Sequence, residues 1–317
     1  MTGAQNESRK LQSAKELQPQ GKLRVAVLGS ESNSYVRSFR ECCQQQVVHC
    51  DVISWTSLSA ELSNQDSCSH SLQEYSCVLV RSMPLGSLEQ VIFRMDCLQV
   101  AQDTGVRVLN SPRCLEVSID KWLTLHRLQQ AGLAVPPTLA CQTRDQAFEA
   151  WEKLGRDVVV KPLFGGEGRG IVRVENTDMA WRVFSTLHQL DSVLYLQKYL
   201  PNFGYDIRVL ILGDRLFAVK RHSPKGIWKT NISQGACPEP HALSPTEREL
   251  ALKAAEAVAQ DDSSFRFLGV DLMPTQDNQI QVLEVNAVPG WHGLAGALGV
   301  DVAGELMRFM IEHHNHE

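Results

Sequence analysis

Two segments near the C-terminus restrict the fold most, because carboxylate and amide side chains stand there inside otherwise apolar, strand-like runs. They are Phe267-Leu-Gly-Val-Asp271-Leu-Met273 and Gln281-Val-Leu-Glu284-Val-Asn286-Ala287. A carboxylate taken out of water is costly unless a cation or metal meets it. Side chains alternate along a strand, so Glu284 and Asn286 share one face, and Asp271 can reach that face from an adjacent strand. Two carboxylates and an amide oxygen are hard ligands of the kind Mg²⁺ takes while it keeps waters and phosphate oxygens. Asp271, Glu284 and Asn286 are therefore the candidate metal set. The plainer alternatives are a turn or ion-pair role for Asp271 and a solvent-facing Glu-x-Asn.

Upstream, short apolar runs alternate with helical patterns. Leu23–Gly29, Val47–Ser54, Cys77–Arg81 and Val106–Leu109 are expected strands, with helices after the first (through Arg40) and over Phe93–Gln102. That alternation predicts a small, mostly parallel α/β unit. Amphipathic helices are expected over Cys114–Gly132, from Leu115, Ile119, Trp122, Leu123, Leu125 and Leu128. An α+β stretch follows, with strands at Val158–Lys161, Ile171–Val174 and Val193–Tyr199 and a helix at Asp178–Leu190. Ile207–Leu212 and Leu216–Arg221 flank Gly213-Asp214 as a hairpin, and Thr246–Gln260 is helical. The fold class is α/β (α+β). The break points predict a disordered arm over 1–21 and three modules over 22–111, 112–195 and 196–317.

Bulk properties exclude several classes. The formal charge of −5 gives no electrostatic footprint for nucleic acid. No run approaches the ~18 apolar residues of a membrane span, and Met1 to Gln20 is polar, without the apolar centre of a secretion signal. Nine cysteines without a Cys-x-x-Cys pair read as reduced thiols in a cytoplasmic protein. His313, His314 and His316 suit the negative end of a helix better than a metal.

Lys161-Pro-Leu-Phe-Gly165-Gly166-Glu167-Gly168-Arg169-Gly170 lies between two expected strands. Glycines let backbone N–H groups approach phosphate oxygens, and a lysine at the end of the preceding strand adds a point charge. The order differs from the phosphate loop in which the lysine follows the glycines, and from the dinucleotide fingerprint that opens a helix. Taken alone, the run equally fits an ordinary hairpin. Lys121, forty residues upstream, gains meaning only from company, since most lysines are solvated.

Together these residues resemble the ATP-grasp superfamily. Lys121, the Lys161 strand, the glycine loop, Gln197-Lys198-Tyr199-Leu200 and Asp271…Glu284-x-Asn286 occur in its order over roughly residues 110–315. Gly204-Tyr-Asp206-Ile-Arg208, Trp228-Lys229-Thr230-Asn231 and Glu284-Val-Asn-Ala-Val-Pro-Gly290 are similar to the RimK-like amino-acid ligases, typically alpha-L-glutamate ligases. The resemblance implies a three-module ATP-grasp architecture behind an N-terminal parallel-sheet domain, and use of ATP with Mg²⁺ or Mn²⁺. Lys121, Lys161 and the loop Gly165, Gly166, Glu167, Gly168, Arg169, Gly170 would meet phosphates. Backbone groups of Lys198, Tyr199 and Leu200, beside Gln197, would meet the adenine edge, and Asp206 the ribose. Lys229, Thr230 and Asn231 would approach the triphosphate or reacting carboxylate. Arg208 and Arg221 would clamp an acidic substrate; singly, each equally fits a surface ion pair. Lys198 stands where glutamate is usual, and Asn231-Ile-Ser-Gln-Gly235-Ala236 replaces a glycine pair.

The implied reaction is formation of an amide between an acceptor carboxylate and an amino acid, with glutamate favoured, through an acylphosphate. The acceptor is expected to be a small cofactor such as a pterin or furan one-carbon carrier, because Phe164-Gly-Gly-Glu-Gly-Arg-Gly170 and Asn286-Ala-Val-Pro-Gly-Trp291 look like ligases of that kind, such as the tetrahydromethanopterin glutamate ligases. The alternatives are a protein C-terminus as acceptor and, in another class, a non-catalytic nucleotide-binding regulatory protein. A homo-oligomer is expected, with no nucleic-acid or membrane partner.

Overall fold

The computed structural model describes residues 23–62, 68–166, 168–225, 227–228, 230, 232, 235–260 and 264–315. The expected arm over 1–21 lies outside them, as do Glu167, Lys229, Asn231 and His316.

The N-terminal unit runs β1 (Arg24–Leu28), α1 (Ser34–Gln45), β2 (His49–Ile53), a hairpin of β3 (Ala60–Leu62) and β4 (Cys68–His70), β5 (Cys77–Val80), α2 (Leu88–Asp103) and β6 (Arg107–Leu109). Strands pair in parallel in the order β2-β1-β5-β6. The near-continuous apolar runs of β1 and β5 are buried on both faces, as a parallel sheet demands. Both helices outrun the expected spans. Asn33 caps α1 by accepting from the Tyr35 and Val36 amides, and a Ser87/Gln90 capping box starts α2. The β3–β4 hairpin was not expected from the sequence: Ala60, Glu61 and Leu62 are exposed, so no buried face imprints a pattern.

Next come α3 (Pro112–Ile119) and α4 (Lys121–Gln130), then β7 (Thr138–Cys141), α5 (Arg144–Lys153), β8 (Val158–Lys161), β9 (Val172–Val174), α6 (Thr177–Gln189) and β10 (Leu194–Lys198). These strands form an antiparallel sheet ordered β7-β10-β8-β9. The last part is β11 (Tyr205–Leu212), β12 (Arg215–His222), β13 (Cys237–Pro240), α7 (Pro245–Ala259), β14 (Phe267–Pro274), β15 (Ile280–Asn286), α8 (His292–Leu298) and α9 (Val302–Asn315). Its sheet, β13-β12-β11-β14-β15, is antiparallel throughout.

Alternation on this sheet sorts the chemistry. Ile207, Val209, Val270, Leu272 and Val285 point into a core shared with α3, α4, α7 and one face of the N-terminal sheet. The opposite face carries Asp206, Arg208, Asp271, Glu284 and Asn286, because directly opposed residues share a face. Toward its other end that face becomes apolar, where Leu210, Leu212 and Phe267 join a second core with α9 and the N-terminal sheet's other face. The central sheet has a core of its own, with Trp151, Phe184 and Leu196.

Two expected boundaries therefore differ from the packing. α3 and α4 bury Leu115, Leu125 and Leu128 in the core of the N- and C-terminal sheets, not in the central one. Each such leucine stabilises that arrangement by about 1.5–3 kcal/mol. Trp122, at the margin of the α4 stripe, stays exposed. The boundary at 195/196 falls inside β10, where Leu196 lies in the central core and Tyr195 in the first. Cys42, Cys43, Cys50, Cys77, Cys97, Cys114, Cys141 and Cys237 are thiols outside any disulfide. His313 and His314 lie in the last turn of α9. Among the described residues, no helix is long and apolar enough to cross a membrane.

Candidate active site

Local structure aims the two lysines. Asp120 caps α4 by accepting from the Trp122 amide at 2.9 Å and the Leu123 amide at 3.0 Å, which sets Lys121 at the first helical position. From there Lys121 Nζ donates to the Gly165 carbonyl at 2.6 Å. Lys161 ends β8 and donates to Gln197 Oε1 on neighbouring β10 at 2.6 Å; Gln197 is anchored in turn by Thr138 at 3.1 Å. Lys121, Lys161 and Glu284 line one small cleft with Ser118, Thr124, Tyr195 and Leu283. Three distant parts of the chain thus converge there.

Burial pushes the Lys161 ammonium down to about 8; Lys121 adds to that, and Glu284 and Asp271 oppose it. Burial likewise lowers Lys121, against Glu284 and Asp120. Two desolvated cations beside one carboxylate leave the cleft short of negative charge, which suits a polyphosphate. The glycine loop bends over this end of β8. Gly165, Gly168 and Gly170 hold φ of +114°, +72° and +70°, a left-handed region that costs other residues about 1–2 kcal/mol. A side chain at Gly170 would also meet Pro162 at 2.8 Å. A larger cavity of about 600 Å³ lies against α6, among Val160, Phe164, Val172, Val183 and Leu187. Lys161 and Gly170 line it too, beside Arg182 and Asp191, so it adjoins the smaller cleft through the Lys161 end of β8.

Asp271 and Glu284 are direct cross-strand partners, and Asn286 is opposed to Gly269 one step along the same face. Their hard oxygen donors fit a Mg²⁺ that keeps water or phosphate ligands. Among the described residues no set of three His, Cys, Asp or Glu gathers as a metal cage, so the fit is to two carboxylates and an amide. Asn286 Oδ1 accepts from the Val288 amide at 2.8 Å, which uses one of its two lone pairs.

Two expected roles need correction. Asp206 is buried, and both its oxygens are taken: Arg221 Nε and Nη2 donate at 2.7 and 2.6 Å, and Thr230 Oγ1 at 2.5 Å. Three of its roughly four acceptor positions are occupied, so its first task here is to hold Arg221 and Thr230. Arg221 is equally committed, since Nη2 also donates to Asp271 Oδ2 at 2.8 Å. It is not the open clamp the resemblance implies but the bridge between two buried carboxylates. Burial works against its charge, yet Asp271 and Asp206 outweigh that and raise it. Asp206 is raised by burial despite Arg221, whereas Asp271 is lowered overall, because Arg208 and Arg221 together overcome burial. Arg208 Nη2 donates to Asp271 Oδ2 at 2.9 Å, with Nε against Oδ1, its side chain mostly buried at 12% exposure. The Lys198 and Tyr199 amides donate to the Pro137 and Asp157 carbonyls at 2.8 and 3.0 Å, so of this segment's backbone groups those two N–H donors are engaged. Arg169 stays exposed, and Arg173 stacks on Tyr199 at 3.6 Å.

Sequence reasoning missed two residues beside the metal set. Asn110, read only as a strand stop, and Arg81, read as a strand end, both reach from the N-terminal sheet to the segment after Asn286. Their signal was polar character at the ends of buried parallel strands, which by itself names no partner.

This arrangement agrees with the comparisons. A RimK-like ATP-grasp domain matches residues 118–310. The chain belongs to the RimK-like ATP-grasp family, whose fold is that of carboxylate–amine ligases. The tetrahydromethanopterin:alpha-L-glutamate ligase of Methanosarcina acetivorans is 29% identical over 267 residues, 75% of this chain and 81% of the relative. The ribosomal protein bS6–L-glutamate ligase of Escherichia coli is 30% identical over 212 residues, 66% of this chain and 69% of that one. Among solved structures, the ATP-grasp ligase PsnB complexed with minimal precursor, Mg and ADP superposes with a TM-score of 0.70 at 22% identity, covering 92% of this chain and 97% of PsnB. The RimK domain protein of Sphaerobacter thermophilus gives 0.70 at 22%, covering 90% and 98%. These two likenesses speak for the fold.

Proposed function

We propose that this ligase joins glutamate to the carboxylate of a small cofactor, of the pterin or furan one-carbon-carrier kind, in the cytoplasm. The observation that carries the reading is the meeting of Lys121, Lys161 and Glu284 in one cleft, with Asp271 and Asn286 on the same strand face. ATP is the co-substrate, its phosphates met by Lys121, Lys161 and the glycine loop. Asp271, Glu284 and Asn286 would hold Mg²⁺, or Mn²⁺ in its place, which would supply charge neutralisation at the phosphates. An oxygen of the acceptor carboxylate attacks the γ-phosphorus, ADP leaves, and the amine of glutamate displaces phosphate from the acylphosphate. The protein's part is positioning and charge; it needs no nucleophile of its own.

Arg208, on the strand face of the metal set and paired with Asp271, is a candidate to meet a substrate carboxylate, with Lys229 and Asn231 as further candidates. The cofactor acceptor is favoured because the methanogen relatives named for it align over more of the chain than those named for bS6. A protein C-terminus remains the second reading, supported by the bS6 relatives' 30% identity. The test is ADP release across a matrix of acceptors and amino acids, with mass spectrometry of products. A glutamyl adduct on a folate- or pterin-type acceptor is expected. An adduct only on a peptide carboxylate would move the assignment to the second reading, and a preference for lysine or alanine would remove glutamate.

A further inference from the structure

Strands β14 and β15 stop pairing just beyond Gly269 and Asn286. A side chain from another sheet occupies the place where the ladder would continue. Asn110, at the end of β6 and almost wholly buried, accepts from the Phe267 amide at 2.7 Å through Oδ1. Through Nδ2 it donates to the Phe267 carbonyl at 2.7 Å and the Ala287 carbonyl at 2.6 Å. Its oxygen and both its N–H groups are thereby used, and it stands in for a missing pair of backbone partners. One strand away, Arg81 Nη2 donates to the Pro289 carbonyl at 2.9 Å, with the guanidinium over the Trp291 ring at 4.4 Å. Both carbonyls that flank Val288 are thus held from the N-terminal sheet. Val288 in turn holds Asn286 Oδ1 through its amide.

We propose that Asn110 and Arg81 are positioning residues for the Asn286 amide oxygen, so that the N-terminal unit sets the geometry of the metal site without touching it. The inference rests on the reading of Asn286 as a metal ligand. The physical argument is one of fixed angles. An amide ligand contributes only when its oxygen is presented at the right direction, and outer partners that orient a ligand typically carry about 10-fold to 100-fold of metal affinity. Here the orienting bond comes from Val288, whose backbone is pinned on both sides by side chains of a different sheet. Free of those bonds, the turn would gain other conformers, and the Ala287 and Phe267 carbonyls would lose buried donors.

The test measures Mn²⁺ as a probe of the site, by its electron paramagnetic resonance signal during titration in the presence of ADP, alongside thermal melting. Asn110→Ala is expected to weaken Mn²⁺ binding about 10-fold or more. The same change added to Asn286→Ala should weaken it no further, because the ligand it orients is already gone. Arg81→Lys keeps a buried cation but shortens its reach to Pro289; it runs the same cycle should Asn110→Ala prove too unstable to purify. Wild-type Mn²⁺ affinity in folded Asn110→Ala or Arg81→Lys would overturn the inference, as would equal losses in the presence and absence of Asn286. Loss of binding in Asp271→Asn and Glu284→Gln but not in Asn286→Ala would also overturn it, while leaving the two carboxylates as ligands. Unchanged binding in all three would instead remove the metal reading itself.

Discussion

Arg221→Met is the most informative single perturbation of the buried charge network. Arg221 makes three charge-assisted bonds to two carboxylates, at 2.7, 2.6 and 2.8 Å, with side-chain exposures of 5% for Arg221, 3% for Asp206 and 8% for Asp271. Methionine fills much of the same space without charge. Asp271 keeps Arg208, but Asp206 keeps only the Thr230 hydroxyl. Removing one partner of a buried pair costs about 3–5 kcal/mol, because the other charge stays desolvated. Asp206 already lies above the ordinary carboxylate range through burial, so without Arg221 it should hold a proton in the folded state. The folded variant then binds more protons than the unfolded chain, and its stability falls as pH rises above the unfolded carboxylate range. Urea denaturation at pH 5 and pH 8 measures both effects. The variant should be destabilised by about 3–5 kcal/mol at pH 8 and by less at pH 5. Asp206→Asn in the same chain should recover part of the loss at pH 8. A cost under about 1 kcal/mol, the range of a surface ion pair, would refute the account of a desolvated network.

Further outcomes follow from other contacts. Glu284→Gln should abolish ADP formation with little change in melting temperature, whereas Asp271→Asn should lose activity and stability together, since it weakens bonds from two arginines; near-normal turnover in both at saturating Mg²⁺ would remove the metal assignment. Lys121→Met, which deletes the bond to the Gly165 carbonyl, should raise the dissociation constant for ATP and increase protease cleavage in the glycine loop. Ser244→Ala breaks the capping box of α7 and should cost about 1 kcal/mol. Its partner Glu247 is pushed up by burial but held lower overall by Ser244 and His241. The stability it contributes is therefore present above the unfolded carboxylate pKa and lost as pH falls through the lower folded value; Glu247→Gln should flatten the acid limb of a melting-temperature profile, and an unchanged limb would count against this.

Much of the fold was legible because buried faces leave periodic traces. The both-face burial of β1 and β5, the glycine turn between β11 and β12, and the alanine-rich α7 each declare themselves locally. The β3–β4 hairpin, exposed on the surface, does not. Domain grouping was less legible than strand position: α3 and α4 precede the central sheet in the chain, yet their leucines are complementary to α7 and the C-terminal sheet. In the site, Glu284 and Asn286 could be paired from their spacing alone, and Asp271 from its apolar setting. The turn at Gly213-Asp214 already sets Asp206 opposite Arg221, but their burial with Asp271 was not legible, because it depends on how β14 pairs with β11. Asn110 was the hardest, since its three bonds run to residues more than 150 positions away.

The central claim, that this cleft binds a magnesium nucleotide, is tested most directly by a crystal structure of the chain with ADP and Mg²⁺. The account predicts the diphosphate against Lys121 and Lys161, with the metal on Asp271, Glu284 and Asn286. A diphosphate seated elsewhere, with these five side chains untouched, would contradict it.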